Sequence, residues 1–177
     1  MTAFLLNNIN NKNQSNPLVK AATIPQIKKE LETISPQKLM ALTLRLIKFK
    51  AENKELISYL LFDESEQDGY ISDIKYDVSE LLSNIKSLSP YLVKRALRKA
   101  LKLITRYSKY MGSKDAEAEL LIHFCKHVHH QGISRYTHKT VLNIYLNTLI
   151  KVQKLIPFVH DELQNDFKQE ILRLQKI

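Results

Sequence analysis

A chain of 177 residues, 44% hydrophobic and 25% charged, can bury one core and is too short to expect two. Three glycines and no tryptophan leave little material for hairpin or sandwich turns, so long helices joined by short loops are expected. The single cysteine, Cys125, excludes an internal disulfide framework and fits a reducing compartment.

The net charge of +9 is unevenly spread. Residues 1–62 hold nine Lys/Arg and four Asp/Glu, a balance of +5. Residues 63–89 hold two and seven, a balance of −5, and residues 90–177 hold sixteen and seven, a balance of +9. A basic surplus favours anionic partners and bears on association more than on fold.

The start, MTAFLLNN, lacks the basic region and the apolar length of a signal peptide. No apolar run approaches the roughly 20 residues that span a bilayer, so no membrane span and a cytoplasmic location are expected. Residues 7–22 are low in complexity and polar, which predicts a disordered Asn-rich leader over 1–22 and one all-helical domain over 23–177.

Order is expected from Ile24, with Ile27, Leu31 and Ile34 on one side of a first helix. Ser35-Pro36 and Ser89-Pro90 mark two further starts, because Ser caps a backbone N–H and Pro gives up one that has no partner. Leu39, Leu42, Leu46 and Phe49 follow the first of these at helical spacing. A short helix capped by Asn53 then covers KELISYLLF, and DESEQDG, residues 63–69, reads as an acidic connection. Ile71, Ile74, Val78, Leu81 and Ile85 predict an amphipathic helix after it.

A helix from Ser89 to about Met111 stops at Gly112, and Ser113 caps the next, which runs to about His130 and ends at Gly132. A long helix over Ser134–Ile156 is expected to bury Val141, Tyr145, Thr148, Val152 and Leu155 before Pro157. A last helix carries Phe158, Leu163, Phe167, Ile171 and Leu174. The fold class is all-α, with about seven antiparallel helices in a bundle or a short α-α superhelix.

The most distinctive stretch is VKRALRKALKLITRYSKYMG, residues 93–112, with seven bases and no acid. At about 100° per residue, Lys94, Arg95, Arg98, Lys99, Lys102, Arg106 and Lys109 share an arc of roughly 140° opposite an apolar face. Tyr91 and Tyr110 sit in or beside that arc, where a ring can stack on an unpaired base. Any amphipathic helix has a polar side, however, and the preceding helix carries Asp73, Asp77 and Glu80. In an antiparallel hairpin these acids would approach Arg98, Lys102 and Arg106 and cancel much of the field.

A second constellation is ELLIHFCKHVHH, where Glu119, His123, His127 and His130 share one helical face. Two imidazoles one turn apart can bind a transition metal, with Glu119 as a third ligand. The same face reads equally as a pH-responsive polar flank near a helix C-terminus. Cys125 falls beside the apolar face as a packed thiol. Neither a Gly-rich phosphate loop nor a Gly-x-Ser-x-Gly elbow occurs, so no catalytic residue and no cofactor are assigned.

IPQIKKELETISPQKLMALTLRLIKFKAENKELISYLL resembles the opening helical hairpin of an uncharacterised bacterial family of all-helical proteins. The matching positions are Glu30-Leu31, Leu39, Leu46-Ile47 and Asn53 to Leu56. RKALKLITRY and AEAELLIHFCKHV are similar to later helices of that family. The resemblance implies a helical fold of unknown function and supplies no catalytic residues.

The first functional reading is a cytoplasmic helical interaction or scaffold protein, without catalysis, that meets another protein through its basic helix face. Beside it stand nucleic-acid binding through the helix over 90–111 and metal binding through the histidines of 123–130.

Overall fold

Helix ends in this chain are set by a few residues that either cap a backbone N–H or cannot continue a helix. The computed structural model describes residues 20–85, 89–133 and 138–176. Among them lie α1 (Ile24–Thr33), α2 (Pro36–Phe49), α3 (Ala51–Ser58), α4 (Gln67–Ser83), α5 (Pro90–Met111), α6 (Lys114–His130), α7 (Lys139–Leu155) and α8 (Asp161–Leu174). No strand occurs among the described residues. The expected leader lies outside them except for residues 20–22, as does the expected start of the seventh helix at Ser134.

The Ser35 side chain accepts from the Lys38 N–H at 3.4 Å, as its capping role requires, whereas the Ser89 side chain makes no cap bond. Pro36 and Pro90 each occupy a first helical position, and the carbonyls of Ser35 and Ser89 accept from Leu39 and Val93, each at 3.0 Å. Ser113 Oγ accepts from the Ala116 N–H at 3.2 Å. Gly112, with φ of 64°, takes the left-handed conformation that ends α5 and that a side chain would disfavour.

One connection differs from expectation. The acidic stretch over 63–69 is helical: a π-helical turn over Tyr59–Asp63 and a 3-10 turn over Glu64–Glu66 lead directly into α4. Gly69 lies inside α4 without a positive φ, and the segment holds no proline, so nothing in it breaks a helix. Asp68 in the first turn also complements the helix dipole.

The chain divides into two compact units, Met1–Leu46 and Ile47–Ile177, with the division inside α2. In the first unit a capping box opens α1, with the Thr23 N–H donating to Gln26 Oε1 at 2.9 Å. Ile27, Leu31, Ile34 and Leu42 line one groove there.

The second unit is a helical bundle built around α6, which packs against α4, α5, α7 and α8. Its sequence demands that position: Ala118, Leu120, Phe124, Cys125 and Val128 are wholly buried. Onto it fall Val78 and Leu82 of α4, Val93, Leu97, Ala100 and Ile104 of α5, and Val141, Tyr145 and Val152 of α7. Two buried hydroxyls find acceptors on the backbone. Tyr145 Oη donates to the Leu174 carbonyl at 2.7 Å, an acceptor left over at the end of α8, and Ser108 Oγ donates to Ile104 O at 2.7 Å. All five residues expected to be buried in α7 are buried, whereas Phe158 of the last apolar stripe sits exposed in a 3-10 turn made by Pro157.

These environments predict opposite outcomes for two phenylalanines. Phe124→Ala should destabilise the protein by about 3–5 kcal/mol in urea unfolding, through lost burial plus a cavity. Phe158→Ala should stay within about 0.5 kcal/mol of the parent.

Candidate anion-binding face

Burial of Val93, Leu97, Ala100 and Ile104 fixes the rotation of α5 and turns the opposite arc to solvent. Arg95, Arg98, Lys99, Lys102 and Lys109 are exposed there, and Lys94 is half-buried. Every Asp and Glu of the chain lies among the described residues. Of those in the second unit, none comes within 4.0 Å of those six cations. Asp73 and Asp77, which the sequence suggested as neutralising partners, instead line a groove with Lys54, Glu55, Asp63 and Tyr107. Glu80 makes no ion pair with α5.

Arg106 is the exception. Its Nε lies 3.4 Å from Glu55 Oε2, and its guanidinium carbon stands 4.9 Å from the Tyr107 ring centre. Tyr110 Oη donates to the same Glu55 Oε2 at 2.9 Å. Of the site residues named from sequence, Arg106 and Tyr110 are thus held by one carboxylate, while the others stand without an acid. Burial first, and then the bond to Glu55, pushes the Tyr110 phenol up to about 12. Behind this group the rings of Tyr59, Tyr70, Tyr107 and Tyr110 pack in series, with centres 4.8, 5.8 and 5.7 Å apart. The role of Glu55 has no signal in the sequence, because it stands 55 residues from Tyr110 on a short helix without a charge pattern.

The histidines of α6 face the serines of α4. His123 Nε2 lies 3.2 Å from the Lys75 carbonyl, which can only accept, so this nitrogen carries the proton; Ser79 Oγ is 2.9 Å from it. His127 Nε2 takes the opposite role, accepting from the Gln131 amide at 3.0 Å, with Ser83 Oγ at 3.3 Å. Glu119 is bound to Lys75 at 2.6 Å. A face whose heads are engaged in this way has no set of lone pairs aimed at one point. Among the described residues, no three His, Cys, Asp or Glu are grouped to hold a metal ion. Burial, with the Lys75 ammonium second, lowers the His123 pKa, and burial, with His130 second, lowers that of His127. Burial also pushes the Cys125 thiol up, leaving it a packed apolar group.

A further histidine was not singled out from sequence. His160 Nδ1 bonds Asp115 Oδ2, and its backbone N–H donates to Asp115 Oδ1 at 3.0 Å, joining the starts of α8 and α6. The bond to Asp115 and that carboxylate's charge raise the His160 pKa.

No family model, curated protein or solved structure matches this chain.

Glu55→Gln should lower the Tyr110 pKa below about 12 while burial keeps it above the ordinary 10.0, as followed by carbon NMR of the phenol ring. The histidines predict two pH dependences of opposite sign. His160, with its raised pKa, lends stability in full below the ordinary value of 6.5 and loses it as pH rises through the folded value. The stability gap between the parent and His160→Gln should therefore close on going alkaline. For His123, with its lowered pKa, stability is present above 6.5 and falls as pH drops toward the folded value. His123→Gln should flatten that acid limb in thermal unfolding scans.

Proposed function

We propose that the protein is a helical binding module whose α5 face docks an anionic polymer, and that this polymer is nucleic acid. One observation carries the reading. Lys94, Arg95, Arg98, Lys99, Lys102 and Lys109 stand along one side of a single helix with no Asp or Glu of the same unit within 4.0 Å. A row of like charges in solvent costs energy through mutual repulsion, and a ligand with regularly spaced negative charge relieves it along the whole helix. The 22 residues of α5 extend about 33 Å at roughly 1.5 Å per residue, the length of several successive phosphates. Tyr91, 64% exposed with Lys94 Nζ 5.9 Å from its ring centre, adds a stacking surface within the same arc.

An acidic protein is the other ligand class such a face would take, and it is the partner that the sequence reading placed first. It is less well matched, because protein surfaces mix acids with bases while a phosphate backbone does not. Resemblance to the bacterial helical family adds a fold to this reading and no activity. A cytoplasmic location belongs to the same proposal; among the described residues no helix is long and apolar enough to cross a membrane.

Six phosphate contacts predict a slope of about 5 in log Kd against log salt for duplex DNA and about 4 for a single strand, measured by fluorescence anisotropy. Arg98→Glu with Lys102→Glu should weaken binding by tenfold or more and reduce that slope by about 2. Unchanged binding of both nucleic acids by this double variant would remove the reading.

A further inference from the structure

The inference rests on the nucleic-acid reading above and specifies the form of the ligand. A groove of about 570 Å³ opens beside the C-terminal half of α5, within the size range of pockets that take small ligands. Its lining includes Leu101, Lys102, Arg106, Lys109 and Tyr110 of α5 and, from α3, Glu52. This groove continues the cationic row, since Lys102 and Lys109 belong to both, but its chemistry is different. Leu101 supplies an apolar patch. Arg106 supplies a planar guanidinium that is already fixed by Glu55 and lies over Tyr107. Tyr110 is fixed by the same Glu55 carboxylate, so two walls are set before any ligand arrives.

Glu52 is the informative residue. Among the described residues it makes no ion pair, yet it lines a groove shared with three cations. A carboxylate repels phosphate and weakens a site built only for anions. It suits a ligand with negative charge at one end and an N–H donor at the other. A nucleotide unit whose base carries an exocyclic amino group has that polarity, with cytosine N4 as the standard donor to a carboxylate. Thymine presents an acceptor oxygen at the corresponding place and would be repelled. A base reaches such a groove only when it is unstacked and unpaired.

We propose that this groove is a base subsite of a single-stranded nucleic-acid path, in which Lys102 and Lys109 meet flanking phosphates. The base lies against Leu101 and the Arg106 plane and donates its amino group to Glu52. The chain thus prefers single strands over duplex, and amino-bearing bases over thymine.

The test compares oligo(dC), oligo(dT), a duplex of equal length and free CMP by anisotropy and its competition form, on the full chain and on Glu52→Ala. The parent should bind oligo(dC) about five- to tenfold more tightly than oligo(dT) or duplex, and free CMP far more weakly than either strand. Glu52→Ala should abolish the preference for oligo(dC) while leaving oligo(dT) and duplex binding unchanged or tighter, because it also removes a repelling charge. Thr105→Leu, an exposed substitution on the groove wall, should narrow the single-strand preference and leave duplex affinity alone. Equal binding of the parent to both strands and duplex overturns the subsite while leaving the α5 reading intact. So does a Glu52→Ala variant that tightens oligo(dC) and oligo(dT) alike. Free CMP binding as tightly as the strand also overturns it, since the cationic row would then contribute nothing. Binding of none of these probes defeats the α5 reading itself.

Discussion

The apolar seam of α5 governs where the charge of this molecule goes. Val93, Leu97, Ala100 and Ile104 are wholly buried against the bundle, and a helix so anchored has no freedom to rotate. Turning it by a single residue, about 100°, would carry Arg98 and Lys102 toward the core at a cost of several kcal/mol per unpaired ion. Exposure of four apolar side chains would act in the same direction. The pairs Arg95–Lys99, Arg98–Lys102 and Lys102–Arg106 stand at i, i+4, where like charges oppose helix formation by about 0.2–0.5 kcal/mol each. Tertiary burial carries the helix in spite of this repulsion.

Among the described residues, most ion pairs involve α6 rather than α5. Lys75 of α4 meets Glu119, Lys126 meets Glu170 of α8, Lys151 of α7 meets Glu117, and Asp115 binds His160. Burial works to raise the Glu117 carboxyl, but Lys151 and Lys114 overcome it and hold the group below its ordinary range. The three lysine–glutamate pairs contribute about 0–1 kcal/mol each. Among the described residues of this unit, Glu55 alone forms an ion pair with α5. It acts as an organiser rather than a neutraliser, because it orients Arg106 and Tyr110 at one end of the row and leaves six cations without an acid.

The histidine edge and the basic face are therefore different kinds of surface. Along the seam of α4 and α6, imidazoles meet hydroxyls and a backbone carbonyl, and burial lowers the pKa of His123 and His127. Along α5, the charged side chains face solvent.

Much of the fold was legible because helices are written in local periodicity. The Ser-Pro starts, Ser113, Gly112 and the buried stripe of α7 are all signals confined to a few neighbouring residues. The cationic arc of α5 was legible for the same reason. The acidic connection over 63–69 was misread because charge suggests a loop, while the backbone asks only whether proline or a positive φ intervenes. Partnership could not be read in this way. Glu55 and Tyr110 are 55 residues apart, and Ser79 and His123 are 44 apart. Whether Asp73, Asp77 or Glu55 meets the basic helix depends on how α3 and α4 settle around the core, a distance set by packing and carried by no spacing along the chain. The sequence by itself determined the helices, their apolar stripes and the segregation of charge. Tertiary structure alone decided which of those charges would find a partner, because ion pairing depends on distance through space and periodicity records only distance along a helix.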